Sequence, residues 1–216
     1  MNDKALETFD GFMGGRVYDV MSRLTGFGPG YYWDVARALP LAPGMRVLDL
    51  GCGTASLGVA VAERIEPGGS VVGVDLAEKQ LAAARRKVER LATPFELRRC
   101  SMDELPLEDA SFDAVVTSLA MHAAPPPVRR AALRQVRRVL RPSGFFGLAD
   151  WGRPRAGLLG LLWLPTLIPN ERSRDNWNNA YPELCREVGM ELSTDVYINS
   201  LVRCQVFRPR GPAATG

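Results

Sequence analysis

The chain lacks the features that would mark it as disulfide-stapled, membrane-spanning or built to bind nucleic acid. Its 216 residues include four cysteines and a single histidine, His122. Cys52, Cys100, Cys185 and Cys204 have neither disulfide-framework nor metal-ligand spacing, so reduced thiols in a cytoplasmic setting and no metal site are expected. No apolar run reaches the length of about 20 residues that a transmembrane helix needs. No Pro/Gly/Ser-rich linker, composition shift or internal repeat divides the chain, so its 46% hydrophobic content predicts one compact domain. A charge excess of one sign is missing too. With 27 basic and 24 acidic residues the net charge is only +3, too balanced to argue for nucleic acid. Arg129, Arg130, Arg134, Arg137, Arg138 and Arg141 cluster on one expected helix and read as a solvated face. The N-terminus carries Asp3, Glu7 and Asp10 and does not read as a signal peptide.

What the chain does have is the run Val47-Leu48-Asp49-Leu50-Gly51-Cys52-Gly53-Thr54. It reads as a buried strand that breaks on glycines and opens into a helix, the junction where α/β proteins bind nucleotide-like ligands. The third glycine of the G-x-G-x-x-G dinucleotide fingerprint is absent, because Ala55 and Ser56 follow Gly53. Asp49, two residues before the first glycine, would repel a pyrophosphate but suits a ligand bearing an ammonium and a sulfonium. A second buried strand, Ser70 to Asp75, ends in an acid about 20 residues later, the position from which a carboxylate accepts both ribose hydroxyls. The alternative for Asp75 is a local cap before Ala77. Together the two segments describe an adenosine site without phosphates, which argues against a nucleotide-dependent oxidoreductase.

Periodicity predicts helices near 3–24 and 30–39, strand 46–50, helix 54–65, strand 70–75 and helix 77–91. Strands near 95–99, 112–118 and 144–150 enclose a helix from about 127 to 140, giving a mostly parallel sheet with helices on both faces. Helix 180–188 precedes strands 190–197 and 201–208, whose short Asn199-Ser200 link requires antiparallel pairing.

Val47 to Gly53, Val71 to Asp75, Asp103-Glu104-Leu105-Pro106-Leu107 with Ser111-Phe112-Asp113, and Leu140-Arg141-Pro142-Ser143-Gly144 occur in the order of successive motifs. In this the chain resembles the class I S-adenosylmethionine-dependent methyltransferases over roughly residues 45–150. Tyr18-Asp19-Val20-Met21, Gly26-Phe27-Gly28 and Trp33 are similar to the start of the ubiquinone/menaquinone biosynthesis C-methyltransferases. The resemblance implies a Rossmann-like α/β fold: a seven-stranded, mostly parallel sheet with an antiparallel C-terminal hairpin. It also implies a helical cap (1–44), a cofactor-binding core (45–150), an acceptor-pocket insert (151–179) and a terminal helix and hairpin (180–209).

The cofactor implied is S-adenosyl-L-methionine. Gly51, Cys52 and Gly53 would bring backbone amides to its methionine part, Asp49 would face its cationic side, Asp75 the ribose and Leu76 the adenine. The family commonly has an acid near position 101 for the adenine amino group. This chain has Ser101-Met102 there, so the Ser101 hydroxyl is the acceptor on offer. Tyr18 and Leu119 complete the expected cofactor contacts.

The acceptor side is carried by fewer residues. His122 follows strand 112–118 at the carboxyl end of the sheet, where a base or acceptor-orienting group belongs. The quinone C-methyltransferases typically carry an Arg-Asn pair here; His122-Ala123 leaves O-, N- and S-methylation open. Residues 156–169 are strongly apolar and read as core, as a lid over an apolar acceptor, or as an interfacial segment, with Arg153, Arg155, Arg172 and Arg174 alongside. A lid is the favoured reading, with peripheral membrane contact open to it. Phe9, Phe12, Met13, Tyr18, Tyr31, Tyr32 and Trp33 would form the opposite wall, and Asn176 to Asn179 the pocket mouth. The expected activity is methyl transfer to a small or lipophilic acceptor, with phospholipid head-group amines and quinone precursors as alternative acceptors. A noncatalytic cofactor-binding scaffold is the reading from a different class.

Overall fold

The computed structural model describes residues 19–20, 22–23, 26–155 and 174–211. In chain order its elements are α1 (Pro29–Ala38), β1 (Arg46–Leu50), α2 (Ser56–Arg64), β2 (Ser70–Asp75), α3 (Glu78–Val88), β3 (Phe95–Arg99) and β4 (Phe112–Ser118). A 3-10 turn (Met121–Ala123), α4 (Pro126–Val139), β5 (Leu140–Trp151), the one-turn α5 (Arg174–Trp177), α6 (Tyr181–Glu187), β6 (Met190–Tyr197) and β7 (Val202–Pro209) follow.

The seven strands form one sheet in the order β3-β2-β1-β4-β5-β7-β6. β1 to β5 pair in parallel, whereas β7 runs antiparallel to both β5 and β6. The chain order reverses between β1 and β4, so the carboxyl ends of these two strands diverge and leave a crevice. The hairpin forms through the expected link, but β7 inserts between β5 and β6, so β6 becomes the edge.

Alternation along the strands builds two cores. Val47, Val71, Ala114, Val116, Phe145 and Ala149 face α1 and α2, while Leu48, Leu50, Val72, Val115, Phe146 and Leu148 face α4 and α6. This period of two, apolar on both faces, is what a covered parallel sheet requires. β5 starts four residues earlier than its sequence pattern suggests, because Leu140 pairs with Phe112 across a bulge before the regular ladder resumes at Phe145.

The arginine cluster is not uniformly solvated. Arg129 is fully buried. Its guanidinium donates to the carbonyls of Met121 and Ala124 and to the Asp175 carboxylate. Three acceptors match its donor geometry, which is why a cation can lie at the core here. Arg129 thereby ties the loop after β4 to α5. Arg138, on the same helix, donates to the carbonyls of Leu105 and Leu107. Arg130 is half-exposed and fits the expected solvated face.

No helix among the described residues is long and apolar enough to cross a membrane. The apolar stretch 156–169, Arg172, Phe9, Phe12, Met13 and Tyr18 lie outside the described residues.

Candidate functional site

A cleft open to solvent lies over the carboxyl ends of β1, β2 and β4. Its walls include Asp49, Gly51, Cys52, Asp75, Leu76, Met102 and Leu119 among the residues expected from sequence. Tyr32, Thr54, Ser56, Ala77, Gln80 and Ser118 also line it, and pattern reasoning had not singled these out for the cofactor.

Asp49 is the least ordinary residue in the cleft. Strand alternation puts it on the α2 side of β1, in line with the core residue Val47, and it is only 1% exposed. Its Oδ2 is the one buried side-chain oxygen or nitrogen among the described residues with no hydrogen-bond partner. Burial raises its pKa from an ordinary carboxyl value to about 7, offset in part by the Gly58 amide and reinforced by the charge of Asp75. Room for this carboxylate depends on Gly58, where a Cβ would meet Asp49 Oδ2 at 2.9 Å and the Phe95 ring at 2.6 Å. A buried carboxylate oxygen with no hydrogen-bond partner is costly, and a cationic ligand in the cleft would offset that cost.

Asp75 ends β2, the strand paired with β1, and lines the same cleft. Its Oδ2 accepts from the Gly53 amide at 2.8 Å and its Oδ1 from the Ala77 amide at 2.9 Å. The Ala77 contact is a local turn bond two residues on, and α3 has Ala77 itself at its N-cap with no side-chain cap. A carboxylate has about four acceptor positions, so two amides orient it without exhausting it.

The glycine turn works differently from expectation. The Cys52 amide donates to the Val74 carbonyl at 2.9 Å and the Gly53 amide to Asp75, so both are used to fasten β1 to β2. Gly51 and Cys52 line the cleft, and Gly53 is not in its wall. Gly51 supplies space instead. Its φ of +69° disfavours a side chain, and a Cβ there would fall 2.7 Å from that of Ala120. Facing it, Leu119 holds φ +52°, a left-handed conformation unusual for leucine, which bends the chain out of β4 directly at the cleft.

Met102 lines the cleft, but Ser101 does not. The Ser101 hydroxyl donates to Asp103 and faces a neighbouring groove. Donation to Asp103 uses the hydroxyl proton and leaves the oxygen lone pairs as acceptors. On the N-terminal side Tyr32 reaches the cleft, and the Tyr31 hydroxyl bonds Ser118 Oγ at 2.9 Å. Trp33 packs against the core, partly buried.

His122 sits in the 3-10 turn after β4, between the cleft residues Ala120 and Ala123, without itself forming the wall. Its Nδ1 lies 2.8 Å from Asp150 Oδ1, and the Trp151 indole N–H points to its Nε2 at 3.3 Å. Asp150, buried at the end of β5, also accepts from the His122 and Trp151 backbone amides. The carboxylate fixes the proton on Nδ1, leaving Nε2 as the basic nitrogen. A base role for His122 therefore needs the indole to yield its place. Asp150 and Trp151 were invisible to spacing arguments, since they lie 28 and 29 residues further along.

Asn176 is buried rather than at a pocket mouth. Its amide donates to the Trp151 carbonyl at 3.1 Å and its Oδ1 accepts from Tyr181 at 3.3 Å, supporting the end of β5 from below. Asn179, at φ +53°, accepts from Gln205 and does not cap α6 through its side chain. A further cluster joins the N-terminal part to the cleft rim. Lys87 Nζ donates to Asp19 at 2.9 Å, Thr54 at 2.9 Å and Ser56 at 3.0 Å, and Thr54 itself donates to Asp19 at 2.6 Å.

Residues 47–144 match the profile of a methyltransferase domain. The demethylmenaquinone methyltransferase of Lactobacillus johnsonii is 31% identical over 150 residues, covering 68% of this chain and 61% of the relative. That of Thermus thermophilus is 38% identical over 151 residues, covering 68% and 66%. The chain thus spans less than two thirds of the length of these relatives. An Aquifex aeolicus S-adenosylmethionine-dependent methyltransferase shares the fold at TM-score 0.68 and 18% identity, over 96% of this chain and 98% of that one. The motif order, the reversed seventh strand and these matches agree: residues 47–144 are a methyltransferase domain, on the same fold as the Aquifex aeolicus S-adenosylmethionine-dependent methyltransferase.

Proposed function

We propose that this protein transfers a methyl group from S-adenosyl-L-methionine to a small, lipophilic acceptor. The observation that carries the cofactor reading is the buried, unpartnered Asp49 Oδ2, in a cleft also lined by Asp75 at the end of β2. The cofactor supplies an electrophilic methyl group on a sulfonium. Asp49 would hold its cationic end, Asp75 its ribose, and Leu76, Met102 and Leu119 the flat apolar surface of the adenine. Thr54, Ser56 and Gln80 add polar groups to the same walls. In-line displacement needs little chemistry from the protein beyond holding donor and acceptor at near-attack distance and excluding water.

For the acceptor, the names of the relatives favour a quinone precursor. Tyr32 brings an aromatic ring to the cleft, backed by a buried cluster in which Phe27 meets Tyr31 and Trp151 edge-on at 5.2 Å each and Tyr31 meets Tyr32 at 4.9 Å. His122 is the base candidate for an acceptor that must lose a proton. Residues 156–169 would close the acceptor side, and their apolar character suits a peripheral contact with the membrane in which such acceptors reside, from the cytoplasmic side.

Titration calorimetry tests the cofactor site. Asp75→Ala should weaken S-adenosylmethionine binding by at least about 1 kcal/mol, as expected for hydrogen bonds to a charged group. Unchanged affinity would remove Asp75 from the site, and absence of binding to the unaltered protein would end the reading.

A further inference from the structure

We propose that Trp151 is a specificity-determining cap on His122, and that Asp150 is the positioning residue that readies the imidazole behind it. The inference rests on the methyltransferase reading above and assigns the acceptor's reacting group: an O–H or N–H able to replace an indole N–H at Nε2.

The geometry is that of a held base with its working nitrogen covered. Asp150 is 2% exposed and sits 2.8 Å from Nδ1, so the imidazole proton stays on that nitrogen. Two backbone amides, from His122 and Trp151, anchor the same carboxylate, so it cannot swing away from the ring. That leaves the lone pair of Nε2 for an outside proton, and the Trp151 indole N–H occupies that direction at 3.3 Å. The bond is long, and the rings meet at 69°, so the indole fills the place without gripping it. Trp151 is also where the main chain leaves β5 for the insert, and its ring lies edge-on to Phe27 from the N-terminal wall.

An acceptor with a polar hydrogen can displace the indole and present the same donor to Nε2. As its oxygen or nitrogen bonds to the methyl carbon of the S-adenosyl sulfonium donor, the carbon–sulfur bond breaks with its electron pair going to sulfur. The acceptor proton passes to Nε2, and the imidazolium is stabilised by Asp150 until water takes the proton away. An acceptor lacking such a hydrogen leaves Nε2 blocked or unpaired, which discriminates against it.

Because His122 is the only histidine, its ring nitrogens can be observed without assignment ambiguity. Long-range ¹⁵N imidazole spectra and the rate of diethyl pyrocarbonate modification of His122 are measured on the full chain, as wild type, Trp151→Phe and Asp150→Asn. The wild type should show one tautomer with the proton on Nδ1. Trp151→Phe should keep that tautomer, move the Nε2 resonance and speed modification by about fivefold, the factor one ordinary net hydrogen bond represents. Asp150→Asn should give a mixture of tautomers. Trp151→Phe keeps an aromatic ring in place, so it reads the cap even where Asp150→Asn folds poorly. An unchanged Nε2 signal and modification rate in Trp151→Phe would overturn the cap, and a proton on Nε2 in the wild type would overturn the positioning role. S-adenosylmethionine calorimetry on the same samples separates the outcomes: loss of binding in the wild type refutes the methyltransferase reading, whereas binding with an uncapped His122 refutes this proposal alone.

Discussion

Asn in place of Asp49 should change how stability depends on pH, because this carboxyl is held protonated by the fold. Burial raises it from 3.8 to about 7. Between these values the native state holds a proton that the unfolded chain has released, so unfolding liberates a proton and rising pH favours it. The carboxyl's favourable contribution is fully present below about pH 4 and is lost as pH climbs through 7. A difference of about three units corresponds to about 4 kcal/mol over the whole range, and about 2 kcal/mol of that falls between pH 5.5 and 8. Urea denaturation of the ligand-free protein at a series of pH values should therefore show the wild type losing about 2 kcal/mol more than Asp49→Asn over that interval. S-adenosylmethionine should reverse the sense, since its cation favours the ionised carboxylate. Its affinity should rise with pH for the wild type and stay nearly level for Asp49→Asn. Parallel stability profiles for the two proteins would refute the reasoning, because they would mean that Asp49 titrates alike in the folded and unfolded chain.

Other residues give independent checks. Arg129→Met removes a fully buried cation and strands Asp175, so a loss of about 3 kcal/mol is expected in denaturant titration; an unchanged midpoint would show that the ion pair is not integral to the core. Gly51→Ala should cost both stability and S-adenosylmethionine affinity, because the added methyl meets Ala120 at 2.7 Å in a left-handed conformation, and calorimetry with normal affinity would contradict that crowding. Lys87→Met should release the tie between Asp19 and the cleft rim, seen as faster limited proteolysis near the N-terminus and a stability loss of about 1 kcal/mol. Identical cleavage rates would show that the contact holds nothing in place.

Most of the sheet was legible because a parallel strand buried on both faces leaves an unbroken apolar run. Ser70–Asp75 and Phe112–Ser118 were bounded to the residue by that signal, whereas the edge strand Phe95–Arg99 shows only alternation of apolar and charged residues. Local chemistry also pointed to Asp49 and Asp75, since a carboxylate inside or ending such a run departs from the pattern. Legibility failed where a residue's partner is remote in sequence. Arg129 reads as one more surface arginine on an amphipathic helix until Asp175 and two loop carbonyls are seen to surround it. Ser101 adjoins Met102 in sequence, yet it lines a neighbouring groove and donates its hydroxyl to Asp103.

The glycine turn shows where that division lies. Periodicity and residue chemistry, which act over a few neighbouring positions, determined by themselves the strand–turn–helix, the alternating α/β order, the antiparallel hairpin and a phosphate-free cationic ligand. Which amides of the turn are already committed, how deeply Asp49 is buried, and what covers Nε2 of His122 depend on strands and helices meeting across 20 to 30 residues or more. Only the tertiary structure decided these, because hydrogen-bond satisfaction and desolvation are set by whichever groups share a volume, and sequence distance does not encode that.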